Sequence, residues 1–459
     1  MWTNDLFAQA LRLEKPWKIT KVEFTDVQSA KVSRRGCVKQ AEAKAKRSAQ
    51  AHDYDATNNV LRRIMSGDDA GELHIYIDFE RGSKFPYPAD NGEAKNITTG
   101  EEVLLGVYDV KPMTWRHLNF WQYRTFIHAN VPRVGDKDHS PRVVSVPWAR
   151  EQSGFTLLFE SFIVALSRGM SVSHVADIVG ENDTRLWRVI KHYVDKAKDK
   201  ADYSQVKYIG VDETSKKGHK YITVFVNLET HKVLYVEDGK DQTTIQKFTE
   251  YFEGHKGDRN NISVVTTDMS LGFKSGILNN FPKATTIIDK FHVIKNVNDS
   301  VDQVRKTESK ENILLKGTKY LWLMNEENLK EDQQSLKQSL FKKHFKTGRA
   351  CMMREELQNI YSQSKNRCEA ETRLKKLCNW MIRSRLDPMK KCCKMIRKHW
   401  EDILNYFDKG FTNAILEGVN NIIQNIKCRA RGYRNNNYFS TMIYLVLGEL
   451  DIESLLIRP

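Results

Sequence analysis

The chain has 459 residues, 40% hydrophobic and 29% charged, and its 73 Lys and Arg exceed its 58 Asp and Glu for a net charge of +15. That length allows about two to four domains at roughly 100–200 residues each, and the composition excludes a disordered chain. The cationic excess favours polyanionic partners through phosphate neutralisation and counterion release, and no apolar run is long enough to span a membrane.

Residues 1–150 read as a β-rich N-terminal domain. A short helical segment leads into a strand at Trp17–Val22, and residues 29–72 are polar and aperiodic, as in a mobile insertion. Leu73–Phe79 alternates apolar and polar residues like a half-buried strand, and Leu118–Val131 holds a further strand pair. Residues 151–200 turn helical. Phe155–Leu166 is amphipathic, Ser171 or Ser173 can cap the next helix, Gly180 can close it in a left-handed turn, and Asp183 or Thr184 can cap another. That last helix carries Arg185, Arg188 and Lys191. Two short helices about a tight turn make either a helix-turn-helix that contacts DNA or an ordinary αα-hairpin, and the cations favour the first.

Residues 201–305 alternate strand and helix. Three strands follow one another, the first running from Val206 to Asp212, the next at Tyr221–Leu228 and Lys232–Val236. A helix at Thr243–Phe252, a strand at Ile262–Thr267 ending on Asp268, a helix at Leu271–Phe281 and a strand at Ala284–Ile288 ending on Asp289 complete the order of a ribonuclease-H-like α/β core. Residues 306–410 are Lys-rich and helical, an inserted all-helical domain in which Trp322, Trp380 and Trp400 face the core or DNA. Residues 411–459 form two helices split near Gly432. The seven cysteines are odd in number and form no CxxC pair, and the N-terminus lacks the pattern of a signal peptide, so a cytoplasmic protein is expected.

Asp212 and Asp268 each follow an apolar strand, so neighbouring strands can bring both carboxylates to one cation. Glu417 begins a helix whose same face carries Asn421 and Gln424. If that helix packs beside the sheet, three carboxylates converge. Such oxygen ligands suit Mg²⁺ or Mn²⁺, and two ions can activate an attacking oxygen and stabilise a leaving one. Taken alone, a strand-end Asp is usually a turn former and a helical Glu usually a solvated side chain.

From about Trp115 onward the chain resembles bacterial insertion-sequence transposases of the ISL-three group. The residues that carry the likeness include Thr114-Trp-Arg-His-Leu-Asn-Phe120, Ile209-Gly-Val-Asp-Glu-Thr-Ser215, Thr267-Asp-Met-Ser270, Ile288-Asp-Lys-Phe-His-Val293, Lys316-Gly-Thr-Lys-Tyr-Leu-Trp-Leu323, Asn413-Ala-Ile-Leu-Glu-Gly-Val-Asn420 and Lys427-Cys-Arg-Ala-Arg-Gly-Tyr-Arg434. The resemblance implies a DDE transposase whose catalytic, metal-holding acids are Asp212, Asp268 and Glu417, with two Mg²⁺ or Mn²⁺ ions. It implies hydrolysis at the ends of a mobile element and attack of the freed 3′-hydroxyls on target DNA. A nucleoid-associated homo-oligomer on double-stranded DNA is the implied assembly. Asp289 and His292 match a D-x-x-H element that orients the site or contacts DNA. Lys427, Arg429, Arg431 and Arg434 can hold the phosphodiester backbone or form a solvated helix end, and Lys216, Lys217 and Lys220 lie in a comparable turn. The rival reading is a catalytically inactive, transposase-derived DNA-binding protein.

The N-terminal region departs from the family, whose members carry a zinc finger there. The first ligand pair falls at Phe85–Asp90 without cysteine, and the second leaves Asp136 and His139. A structural zinc site needs four ligands, mostly thiolate or imidazole. Metal analysis of the purified protein should therefore find no stoichiometric zinc; one zinc per chain would overturn this reading.

Overall fold

A computed structural model describes residues 2–25, 71–88, 103–137, 139–217, 220–411 and 414–456. The chain divides into two compact units, one of residues 1–197, 427–445 and 451–459, the other of residues 198–426 and 446–450.

The first unit opens with helix α1 (Trp2–Ala10) and strand β1 (Trp17–Thr25). Strands β2 (Glu72–Phe79), β3 (Phe85–Pro86), β4 (Leu104–Leu105), β5 (Val107–Arg116), β6 (Arg124–Val134) and β7 (Arg142–Val143) follow. The main sheet runs β1-β2-β6-β5, with β2 and β6 parallel and the other two pairings antiparallel. Strand alternation sends Leu73, Ile75, Ile77, Ile127, Ala129 and Val131 to one buried face. Trp148 packs edge-on against Trp17 and Trp115 over that face, with ring centroids 5.0 and 5.6 Å apart. The strand pair expected within Leu118–Val131 is instead one strand, β6, whose partner β5 lies upstream. The insertion expected at 29–72 lies, up to residue 70, outside the described residues.

The two stretches expected to correspond to the zinc-ligand pairs, around Phe85 and around His139, do meet. The Tyr87 hydroxyl donates to the Ser140 carbonyl at 3.1 Å, the His139 ring packs on Tyr87, and Arg142 lies 5.4 Å above the same ring. Asp136 Oδ1 contacts His139 Nδ1 at 2.7 Å. One imidazole and one carboxylate do not make a tetrahedral thiolate–imidazole set, so these residues do not fit structural zinc.

Helices α2 (Leu157–Gly169), α3 (Val172–Val179) and α4 (Asp183–Asp199) come next. Ser171 caps α3 by accepting from the His174 amide at 3.3 Å, and Gly180 ends it at φ 68°. Asn182, and not Asp183 or Thr184, caps α4: its Oδ1 accepts from the Thr184 amide at 2.9 Å. Glu160 of α2 has no exposed surface. It accepts from Arg150 Nε at 2.9 Å, Ser153 Oγ at 2.6 Å and the Tyr193 hydroxyl at 2.8 Å, which ties the preceding loop to α4.

The second unit holds β8 (Tyr208–Lys217), β9 (Lys220–Asn227), β10 (Lys232–Asp238), α5 (Gln242–Gly254), β11 (Val264–Thr267), α6 (Leu271–Asn280) and β12 (Thr285–Ile288). Their sheet runs β10-β9-β8-β11-β12, antiparallel over the first three strands and parallel over the last three. Phe225 stacks on Phe248 at 4.1 Å, and Ile245, Phe252, Phe273 and Ile277 close the core between sheet and helices.

Helices α7 (Lys290–Glu308), α8 (Lys319–Leu323), α9 (Glu331–Phe341), α10 (Lys346–Gln363), α11 (Arg367–Arg383), α12 (Asp387–Lys398) and α13 (Trp400–Lys409) build the helical region. Val293, Val297, Val301 and Val304 line one face of α7 and join Trp322, Leu357, Leu374 and Ile396 in one core. The helical region therefore starts at Lys290, earlier than the expected 306. Trp322 is fully buried, Trp400 packs against the core, and Trp380 is partly exposed.

Helix α14 (Ala414–Arg429), helix α15 (Asn436–Leu447) and the short α16 (Glu453–Leu456) end the described chain, with Gly432 at φ 91° between the first two. In the first unit the Trp187 ring stacks on Tyr438 at 4.1 Å, and Arg429 donates to the Gly169 carbonyl at 2.5 Å, serving the unpaired C-terminal carbonyls of α2. The six described cysteines are unpaired, and no helix among the described residues is long and apolar enough to cross a membrane. Replacing Glu160 with Ala leaves the Tyr193 hydroxyl and Arg150 without their acceptor, so chemical denaturation should show a loss of about 3 kcal/mol; an unchanged midpoint would show that the network contributes nothing.

Candidate active site

The parallel ladders decide which side chains share a level. Tyr208, Ile209 and Gly210 pair with Val264, Val265 and Thr266, and Val264–Thr267 pair with Thr285–Ile288. Continuing these registers sets Asp212 opposite Asp268 and Asp268 opposite Asp289. The Asp289 amide donates to the Thr267 carbonyl at 3.0 Å, which extends the second ladder by that step. Three aspartates thus form one row at the C-terminal ends of three neighbouring strands, the usual ligand crevice of an open α/β sheet. Strand β8 does not stop at the first of them, since its antiparallel pairing with β9 continues to Lys217.

Each acid is oriented by its own turn. Asp268 Oδ1 accepts from the Ser270 amide at 2.8 Å as the chain enters α6. Asp289 caps α7 by accepting from the Phe291 amide at 3.2 Å, and its other oxygen lies 3.3 Å from His292 Nδ1. Asp212 is held from two sides: Oδ1 accepts from the Glu213 amide at 2.8 Å and Oδ2 from Asn420 Nδ2 at 2.6 Å. Asn420 also accepts from the Thr214 hydroxyl, and Gln424 reaches the Ser215 carbonyl at 3.4 Å. Helix α14 is therefore registered along β8 through Asn420 and Gln424. Asn421, expected on that face, is exposed.

The electrostatics follow from crowding. Burial pushes the Asp212 carboxyl above its usual range, and Asp268 adds to the rise, while the Glu213 amide, His292 and Asn420 oppose it. Glu213, which the sequence reading passed over, is also raised, first by burial and then by Asp268, with Lys240 opposing at 3.8 Å. Its only sequence signal is the Asp-Glu doublet, and strand alternation argues against using adjacent residues together. His292 is held above the ordinary histidine value, chiefly by Asp289, with burial opposing and Asp212 and Asp268 assisting.

Glu417 lies on α14 one turn before Asn420 and is exposed. Among the described residues no three His, Cys, Asp or Glu side chains are arranged to hold a metal ion. The structure thus brings Asp212, Asp268, Asp289 and His292 together and leaves the Glu417 carboxylate outside that cluster.

The expected DNA-binding cations separate into two kinds. Arg188 is exposed on α4, and Lys191 is exposed beside Asp195. Arg431 and Arg434 are exposed after α14. Arg185 instead pairs with Glu181 and lies 4.1 Å over the Phe155 ring, Arg429 serves the end of α2, and Lys427 is partly buried. Lys216 is buried against Asp238 at 2.9 Å, an internal ion pair. The side chains of Lys217 and Lys220 lie outside the described residues.

Comparison with known proteins agrees with this layout. Residues 209–443 match a family model described as a transposase, and residues 144–194 match the helix-turn-helix domain of transposase family ISL3. The transposase for insertion sequence element IS1557 of Mycobacterium tuberculosis is 25% identical over 370 residues, covering 73% of this chain and 81% of that protein. The transposase for insertion sequence element IS1001 of Bordetella parapertussis is 25% identical over 339 residues, covering 71% and 82% respectively. A helix-turn-helix followed by an acid-bearing mixed sheet and its helices thus coincides with two matched domains in the same order, and the chain belongs to the ISL3 family of insertion-sequence transposases, enzymes that cleave and transfer DNA strands.

Proposed function

We propose that Asp212, Asp268 and Glu417 are the three acids of the strand-cleaving site, in a ribonuclease-H-like core. The supporting observation is the grip of Asn420 on Asp212 Oδ2, which fixes the helix bearing Glu417 along the strand bearing Asp212. Their all-oxygen donor set fits Mg²⁺ or Mn²⁺, and the raised Asp212 carboxyl is the state that a nearby cation relieves. When bound, two such ions activate the attacking oxygen and stabilise the leaving one.

The chain's own residues supply the rest. Asn420 and the Glu213 amide each occupy one Asp212 oxygen and prevent the carboxylate from rotating. Glu417 stands one helical turn before Asn420, on the helix that Asn420 ties to the strand of Asp212. Asp289, 3.3 Å from His292 Nδ1, favours the protonated ring, and an imidazolium there can face the scissile phosphate. Arg188 and Lys191 of the helix-turn-helix contact the element ends, and Arg431 and Arg434 contact backbone phosphates. Two ends are joined by a homo-oligomer.

The deciding experiment is cleavage of a supercoiled plasmid carrying the element's ends with Mg²⁺ or Mn²⁺. Wild type should break the DNA at the ends, and Asp212→Asn, Asp268→Asn and Glu417→Gln should not. Binding without breaks in wild type would favour an inactive DNA-binding descendant. Asn420→Ala should weaken Mn²⁺ binding and cleavage by roughly 10–100-fold, the usual effect of losing a ligand's orienting partner.

Charge coupling in the row makes a separate prediction. Asp289→Asn removes the main cause of the raised His292, so its NMR titration midpoint should fall. Because the folded value is raised, the stability this pair contributes is full below about pH 6.5 and fades as pH rises through the raised midpoint. An unchanged midpoint would place the cause elsewhere.

A further inference from the structure

The helical region displays an apolar pair that the acid row does not use. Ile313 and Leu314 stand on a 3-10 turn, Ile313–Leu315, just after α7, and are 75% and 51% exposed. The turn beneath them is rigid. Leu315 is fully buried, and its carbonyl accepts from Arg305 at 3.3 Å and from the Thr318 hydroxyl at 2.7 Å. That hydroxyl accepts in turn from Trp322 Nε1 at 3.1 Å. Two branched side chains are thus fixed in water by a built support, which marks a contact surface rather than a slack loop.

The charge around them says what covers them. Lys310, Lys316 and Lys319 are exposed on either side of the pair, and Glu311 is the single acid among residues 309–320. A two-fold contact with a second copy would bring two patches of net positive charge together, because such an interface uses one patch twice. A polyanion with an apolar interior satisfies both features: phosphates for the lysines and a base step for the pair.

We propose that Ile313 and Leu314 are a wedge that enters a base step of duplex DNA and kinks it, with Lys310, Lys316 and Lys319 on the flanking phosphates. Unstacking one step costs a few kcal/mol, which is offset when the bent duplex meets more protein surface. The wedge rests on the DNA-processing reading of this family and adds a contact made by the helical region, so that this region deforms DNA as well as holding it.

The test uses the full chain and a duplex of about 30 base pairs, plain or carrying a two-nucleotide bulge that is already unstacked. Wild type should bind the bulged duplex at least about tenfold tighter, because the unstacking cost is spared. Ile313→Ser with Leu314→Ser should abolish that preference and leave the salt dependence unchanged; both side chains are exposed, so the fold stands. Lys316→Ala with Lys319→Ala should keep the preference and flatten the salt slope by about two. Equal binding of both duplexes by wild type overturns the wedge, as does a serine variant that keeps the preference. A serine variant of lower assembly mass in sedimentation would assign the patch to a second copy and overturn it as well. Metal-dependent end cleavage, measured in parallel, separates the readings: cleavage by wild type without a bulge preference removes the wedge alone and leaves the acid row standing.

Discussion

Leu416 rests on a backbone position that has no side chain. A Cβ added at Gly210 would lie 2.8 Å from Leu228 and 2.9 Å from Leu416, closer than packed carbons tolerate. A methyl group there would displace the ends of both leucine side chains, so the glycine lets α14 pack close onto β8. Two residues further along the strand is Asp212, and one turn further along the helix is Asn420, so this close approach lies beside the point where strand and helix exchange hydrogen bonds. The requirement is steric and not conformational, since this glycine sits within a regular strand.

The row of acids carries the opposite kind of constraint. Three aspartates at one level repel each other, and burial of Asp212 sharpens the repulsion. The fold contains this with amide donors: each aspartate accepts from a backbone N–H of the residue one or two positions on. For Asp212 the Glu213 amide opposes the rise that burial causes, without adding a counter-charge. His292 opposes the rise at Asp212, and Asp289 lies 3.3 Å from its ring.

Much of this was legible in the sequence, and the failures have definite physical causes. Apolar runs that end on Asp212, Asp268 and Asp289 marked three strands correctly, because a buried parallel strand needs a continuous apolar stretch. Their shared level was not legible, since register appears only when the ladders are formed. Helical spacing from Glu417 reaches Asn420 and Asn421 about equally well, and the packing of Leu416, Val419 and Ile423 selects the first. Strand β5 was missed because Pro112 and exposure on both faces hide an edge strand's alternation. That Arg185, Arg429 and Lys216 contact Glu181, a helix end and Asp238 was not legible, because a cation serving such a partner has the same composition as one serving a phosphate. Glu213 was passed over because alternation turns it to the opposite face from Asp212 on β8, and only the formed sheet shows Asp268 acting on both.

Both compact units take in residues from beyond 411. Asn420 completes one, and the Tyr438 ring that covers Trp187 belongs to the other. During synthesis at about 5–20 residues per second, Asp212 would wait on the order of 10–40 s before Asn420 is even made. A message cut short anywhere upstream of α14 therefore yields neither a complete sheet site nor a complete helix-turn-helix unit. Both units therefore stay open until the C-terminal helices are made, and neither is completed long before the other.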